Sequence, residues 1–327
     1  MTQSELAPDQ TTILLHMGIH KTGSTSLQKN FAKHRPLLRA GGIRFIGHGG
    51  PYRNLYSAFL NDPMRFVWNR QSKLNAEQIR LRDQQTLADL RSRLTRCQRH
   101  TIVISSERLS MLQPSEMRAL RGFLTPYGTV NAVFFYRELD SWISSNSQEM
   151  AKAGIATEPT DFTLALRRIR EMPLRVADVF GPDNTTFIRF EDAIQMGICD
   201  TFLSTFGLPT LTQLGGDEII ANQSISHAAV EALYEYNRQY PLGSPNRDPE
   251  EVNRIMALPG AKYRAPGFSR EQIAQYAQAR AEVADKLGLR LKAPECLPVR
   301  QEYETGRLGR AFRSAERRIL KIFGKTA

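Results

Sequence analysis

"TTILLHM" at 11–17, followed directly by "GIHKTGSTS" at 18–26 and "LQKNFAKHRPLLRAGG" at 27–42, decides the fold. A short apolar run ended by glycine reads as a buried strand. The segment after it reads as helix to about Lys33, restarted at Arg35-Pro36 and stopped by Gly41-Gly42. A glycine-bearing turn joins the two. It aims backbone N–H groups and the positive end of a helix dipole at one point, which stabilises an anion there. Four residues separate Gly18 from Gly23, as in the ATP-binding pattern G-x-x-x-x-G-K-[ST]. The lysine, however, is Lys21, ahead of the second glycine, and Ser24 stands where that pattern has its lysine.

Further strands are read in "GIRFI" (42–46), "TIVIS" (101–105), "TVNAVFFY" (129–136) and "NTTFIRF" (184–190). Between them lie a polar helix over 75–99 with Leu87, Leu90, Leu94 and Cys97 on one face, a helix over about 114–124, and one over "ELDSWISSNSQEMAKAG" stopped by Gly154. "GICDTFLSTFG" is another. Past residue 215 no strand is evident; "SISHAAVEALYEYNRQY" and "SREQIAQYAQARAEVADKLG" are helices, the second opened by a Ser269/Gln272 capping box. The Pro- and Gly-rich stretch 243–268 between them reads as loop. This alternation predicts an α/β three-layer, P-loop-like fold: a central parallel sheet flanked by helices, with a mostly helical C-terminal third. The expected organisation is a tail over 1–10, one α/β domain over 11–304, and a basic amphipathic helix over 305–327.

The 327 residues, 41% hydrophobic and 24% charged, suffice for a sizeable core. No run is long enough to span a bilayer, and "MTQSELAPDQ" lacks the apolar segment of a signal peptide. Cys97, Cys199 and Cys296 are far apart, which argues against a disulfide framework or a zinc site. The six histidines do not cluster. The expected location is cytoplasmic. A formal charge of +11 favours anionic partners.

In ATP-hydrolysing loops the lysine works beside a hydroxyl that holds Mg²⁺ and a downstream acidic residue. Lys21 instead projects from the turn, where it could meet the leaving oxygen of a phosphate ester. That suits group transfer from a nucleotide with no metal required. "HKTGSTSLQ" resembles the 5′-phosphosulfate loop of the sulfotransferases that use 3′-phosphoadenosine-5′-phosphosulfate (PAPS, leaving PAP), with Lys21, Thr22, Gly23, Ser24, Thr25 and Ser26 in the matching positions. That family also has an arginine at a strand end and a serine eight residues on, which grip the 3′-phosphate; Arg137 and Ser145 in "VFFYRELDSWISS" match. "FIRFEDAI" is similar to the family's strand ending in Tyr-Glu-Asp, with Phe190 in place of the tyrosine. An aromatic face for the adenine could remain, but a hydroxyl contact is lost; an ordinary core Phe followed by a capping acidic pair is the competing reading. The family's late Arg-Lys-Gly loop is absent as such, and Lys262 or Arg264 of "GAKYR" could substitute. The motifs run from about 11 to 192.

Sulfuryl transfer needs a base for the acceptor hydroxyl. The resemblance implies a histidine or a glutamate in this role, and Glu107, just past the strand 101–105, is the candidate. His20 stands in reserve, and Glu149 is a third choice. The partners so implied are the nucleotide donor and a carbohydrate or glycolipid acceptor, with no nucleic acid. The helix 306–327 carries an apolar stripe ringed by basic residues; it packs on its own domain or lies on an anionic membrane. Two rivals remain. A nucleotide-dependent kinase would lack its loop lysine and an obvious acidic partner at a strand end. A non-catalytic polyanion- or membrane-binding protein would leave the Arg137/Ser145 spacing unexplained.

Overall fold

β1 (Thr12–Gly18) is buried at all seven positions, the mark of a central strand covered on both faces. In the computed structural model, which describes residues 10–47, 52–219 and 224–288, it lies in the middle of a five-stranded, wholly parallel sheet. The other strands are β2 (Ile43–Ile46), β3 (Thr101–Ser105), β4 (Thr129–Tyr136) and β5 (Thr185–Arg189), in the order β2-β3-β1-β4-β5. The chain leaves β1 towards β3 and β2, then returns to place β4 and β5 on the other side. The order therefore reverses at β1, where the crevice beyond the strands' carboxyl ends is the expected ligand position. This is the predicted α/β, P-loop-like arrangement.

Register fixes what meets at that edge. Gly18 lies opposite Phe135, His16 opposite Ser105, and Tyr136 opposite Arg189. The residues that follow β1, β3, β4 and β5 therefore emerge at one level.

The helices are α1 (Ser24–Lys33), α2 (Arg35–Ala40), α3 (Arg53–Ala58), α4 (Val67–Gln71), α5 (Ala76–Arg96), α6 (Pro114–Leu124), α7 (Leu139–Lys152), α8 (Phe162–Phe180), α9 (Phe190–Met196), α10 (Ile198–Ser204), α11 (His227–Gln239), α12 (Pro249–Met256) and α13 (Arg270–Leu287). Two compact bodies result. The first takes in the described residues up to Leu139, those from Leu166 to Ile219, and those from Ala279 onward; it holds the whole sheet. On one face of that sheet, Leu14, Val133 and Phe135 pack with Leu27 and Phe31 of α1 and Phe202 of α10. Phe31 meets Phe45 and Phe202 edge-on, at 5.6 and 5.7 Å between ring centres.

The second body takes in Asp140–Ala165 and Ser224–Gln278. Its core joins Ala151, Val230, Leu233, Tyr236, Ile255 and Tyr263. Asn237 donates to the carbonyls of Ala151 and Ala156 at 2.9 and 2.8 Å. Gly154 (φ 75°) ends α7 beside the Arg247 guanidinium, where a Cβ would approach within 2.6 Å.

Two segments differ from the sequence reading. The stretch 243–268 is not all loop, for it contains α12. Asp248 caps that helix by accepting from Glu250 N at 2.8 Å, Pro249 opens it, and Arg254 closes it, while Ile255 enters the core. α8, with Pro173 inside it, went unremarked in the sequence. Among the described residues no strand follows β5; only an isolated bridge links Ser226 to Lys262. Nearly all of the expected tail 1–10, and the whole of the C-terminal helix 305–327, lie outside the described residues. No described helix is long and apolar enough to cross a membrane.

Candidate active site

The turn between β1 and α1 is built by two left-handed residues, Lys21 (φ 72°) and Gly23 (φ 78°). A non-glycine residue in that region is uncommon and costs of order 1 kcal/mol or more, so such strain is informative in a loop at a candidate site. Gly23 has a second constraint. A Cβ there would fall 2.3 Å from Ile198 Cδ1 and 3.2 Å from Phe190 Cε2, so α10 and α9 press on the turn from behind. Gly23 offers α1 no side-chain cap, and the first turn of α1 carries no acidic residue. The leading amides of a helix have no intrahelical acceptor, and here no carboxylate of that turn competes for them.

The hydroxyls of the loop are not equivalent. Thr22 is buried and donates to Ile19 O at 2.7 Å, so it shapes the turn from inside. Ser24 and Ser26 are also buried, whereas Thr25 is half-buried. Ser110 Oγ donates to Gly18 O at 2.8 Å and to Glu107 O at 2.9 Å, tying the 3₁₀ turn Glu107–Met111 beneath the loop.

That turn follows β3 and delivers Glu107 to the loop. Its Oε1 lies 3.0 Å from His20 Nδ1, so the two base candidates form one hydrogen-bonded pair. His20 Nε2 faces Met111 Sδ at 3.1 Å. Burial pushes the Glu107 carboxyl up, but the hydrogen bond and charge of His20, with the charge of Arg108, outweigh it; the net direction is down. Glu107 is thereby held as a carboxylate.

Arg137, the first residue past β4, donates from Nη1 to Lys21 O and lays its guanidinium over the Phe190 ring, 4.4 Å from its centre. The loop, Arg137 and Phe190 thus come together as one stack. Phe190 is 8% exposed, and Glu191 and Asp192 fall in the first turn of α9, where carboxylates suit the helix dipole. Asp192 also pairs with Arg189 at 3.0 Å. Phe190 is thus a core residue whose ring carries the Arg137 guanidinium.

Ser145 and the 262–264 segment lie in the second body. Ser144, next to Ser145 on α7, accepts from Ala265 N at 2.8 Å, and Tyr263 N donates to Ile225 O at 3.0 Å. These bonds hold the segment on α7, with Tyr263 buried and Lys262 and Arg264 exposed on either side of it. Glu149 is half-buried one turn beyond Ser145.

Two networks escaped the sequence reading. His16, fully buried in β1, bonds through Nδ1 to Ser105 Oγ at 2.7 Å, and Gln28 Nε2 donates to the same oxygen at 3.0 Å. Burial lowers the His16 pKa to about 4, so the ring is neutral beneath the loop. A histidine inside a wholly apolar strand run was the available signal. Glu138, buried, meets both Arg189 and Arg280 at 3.2 Å and braces the β4 and β5 ends. Only the fold could reveal that meeting. Among the described residues no group of three or more His, Cys, Asp or Glu is placed to hold a metal ion.

No protein-family model matches the sequence, and no curated protein matches it. Nine chains of known structure match. One is a sulfotransferase from Alicyclobacillus acidocaldarius, similar over 88% of this chain and 98% of that one, with a TM-score of 0.41 and 13% identity.

Proposed function

We propose that the chain is a PAPS-dependent sulfotransferase that moves a sulfuryl group to an acceptor hydroxyl of a carbohydrate or glycolipid. The observation that carries this reading is the meeting of three elements at one sheet edge: an uncapped α1 amide turn around Lys21 and Gly23, Arg137 locked to that turn, and the Glu107–His20 pair below it. The acceptor oxygen attacks sulfur in line as the bond from sulfur to the 5′-phosphate oxygen breaks. Glu107 takes the hydroxyl proton, with His20 fixing the carboxylate. The α1 amides and Lys21 meet the charge that develops on the departing phosphate. Arg137 supplies a planar fork for the 3′-phosphate, and Phe190 an apolar face near the base. Ser145 stands as a nucleotide contact on the sequence resemblance alone, and Lys262 or Arg264 as the substitute for the family loop that this sequence lacks.

A thermal-shift panel tests this. PAP and PAPS are expected to raise the melting temperature in EDTA, a hundred-fold excess over Kd stabilising the fold by about 2.7 kcal/mol. ATP should need no less, with or without Mg²⁺, than a far larger excess. Stabilisation by Mg²⁺-ATP alone would point to a kinase.

A further inference from the structure

Arg108 follows the candidate base directly, on the same 3₁₀ turn. It is half-buried, and its Nε–H is buried without a hydrogen-bond partner. The guanidinium lies over the Phe66 ring, 5.3 Å from its centre, and no carboxylate comes within ion-pair distance among the described residues. Arg82 pairs with Asp83 at 2.8 Å and Arg189 and Arg280 pair with Glu138; Arg35 also has a buried, unmatched Nε–H, but its Nη2 donates to the Gly47 carbonyl. Leaving a buried charged donor unmatched costs free energy. Arg108 bears that cost beside a carboxylate that would itself repel an anion.

A second guanidinium stands close by. α3 packs against the Glu107–Met111 turn, and its Arg53 is near enough to push the Arg108 pKa down, adding to burial. Arg53 is exposed and stacks on Trp68 at 3.7 Å, a ring itself 41% exposed. Stacking fixes the plane of the guanidinium and leaves its N–H edge for a ligand. Neither arginine side chain makes a hydrogen bond or ion pair among the described residues. Two like charges gathered next to the candidate base, one with an unsatisfied donor, are explained by an anion that joins them.

We propose that Arg108, supported by Arg53, is an acceptor-recognition site: the hydroxyl compound sulfated here carries its own oxyanion, as an acidic sugar does, and Arg108 grips that group while Glu107 faces the reacting hydroxyl. This rests on the sulfotransferase reading for the identity of the acceptor. Arg108 is given no part in proton transfer or donor binding.

The test is calorimetric titration of the full chain, with and without PAP, by a hexuronate tetrasaccharide and by its carboxyl-reduced, uncharged counterpart. The charged sugar is expected to bind at least about ten-fold more tightly. Arg108→Gln should weaken it by about ten- to a hundred-fold, the usual worth of a charge-assisted contact. Arg53→Gln, an exposed and structurally mild change, should give a smaller loss, and Arg108→Lys an intermediate one. PAP affinity should be the same in all. Equal binding of the two sugars, no binding of the charged one, or a charge preference untouched by both Arg108→Gln and Arg53→Gln would overturn the inference. Charge-selective binding that depends on Arg108 in a chain that does not bind PAP would uphold the oxyanion site and sink the donor reading instead.

Discussion

At the scale of single residues, the pairing of His20 with Glu107 assigns their division of labour. In the proposed mechanism the second carboxylate oxygen of Glu107 meets the acceptor, while the first is held by His20 at 3.0 Å. Its pKa direction is downward, so the competent, deprotonated base persists as pH falls and is lost only below the ordinary carboxylate range. The acid limb of kcat should therefore lie below the range of an ordinary carboxylate. Glu107→Gln keeps size and polarity but cannot take the proton; PAPS affinity should survive while turnover falls by roughly 10²–10⁴-fold. Near-normal turnover in that variant, or a limb near neutrality, would transfer the role to His20.

At the scale of elements, the site depends on how tightly α9 and α10 back the β1–α1 turn. Gly23→Ala would put a Cβ into the left-handed region at φ 78° and 2.3 Å from Ile198 Cδ1. The backbone term costs about 1–2 kcal/mol and overpacking typically about 1–3 kcal/mol more. Denaturant unfolding should show a loss of about 2–5 kcal/mol, and PAP binding should weaken with it; an unchanged midpoint would mean that the turn is not held as described. The five strands were legible because each is a short run rich in apolar and β-branched residues bounded by turn residues, as buried parallel strands are. α12 was not. Its Asp248-Pro249 opening sits inside a Pro- and Gly-rich stretch, and its apolar side is only Val252, Ile255 and Met256, too short a pattern to stand out. The 3₁₀ turn that carries Glu107 has no period to detect at all.

At the scale of the whole molecule, strand order does what spacing cannot show. Lys21, Arg137 and Phe190 were legible one by one, as residues just past strand ends. Their meeting follows from β4 lying beside β1 and β5 beside β4, and the His20–Glu107 pair from β3 lying on the other side of β1. No local pattern encodes that order. In the proposed function this edge reads the 3′-phosphate of a PAPS-type nucleotide through Arg137. The most direct measurement is calorimetric titration of the full chain with PAP and with AMP, in EDTA, for the wild type and Arg137→Ala. PAP should bind about ten- to a hundred-fold more tightly than AMP, with no metal, and Arg137→Ala should remove most of that preference while leaving AMP binding nearly unchanged. Equal affinities for PAP and AMP in the wild-type chain would contradict the account.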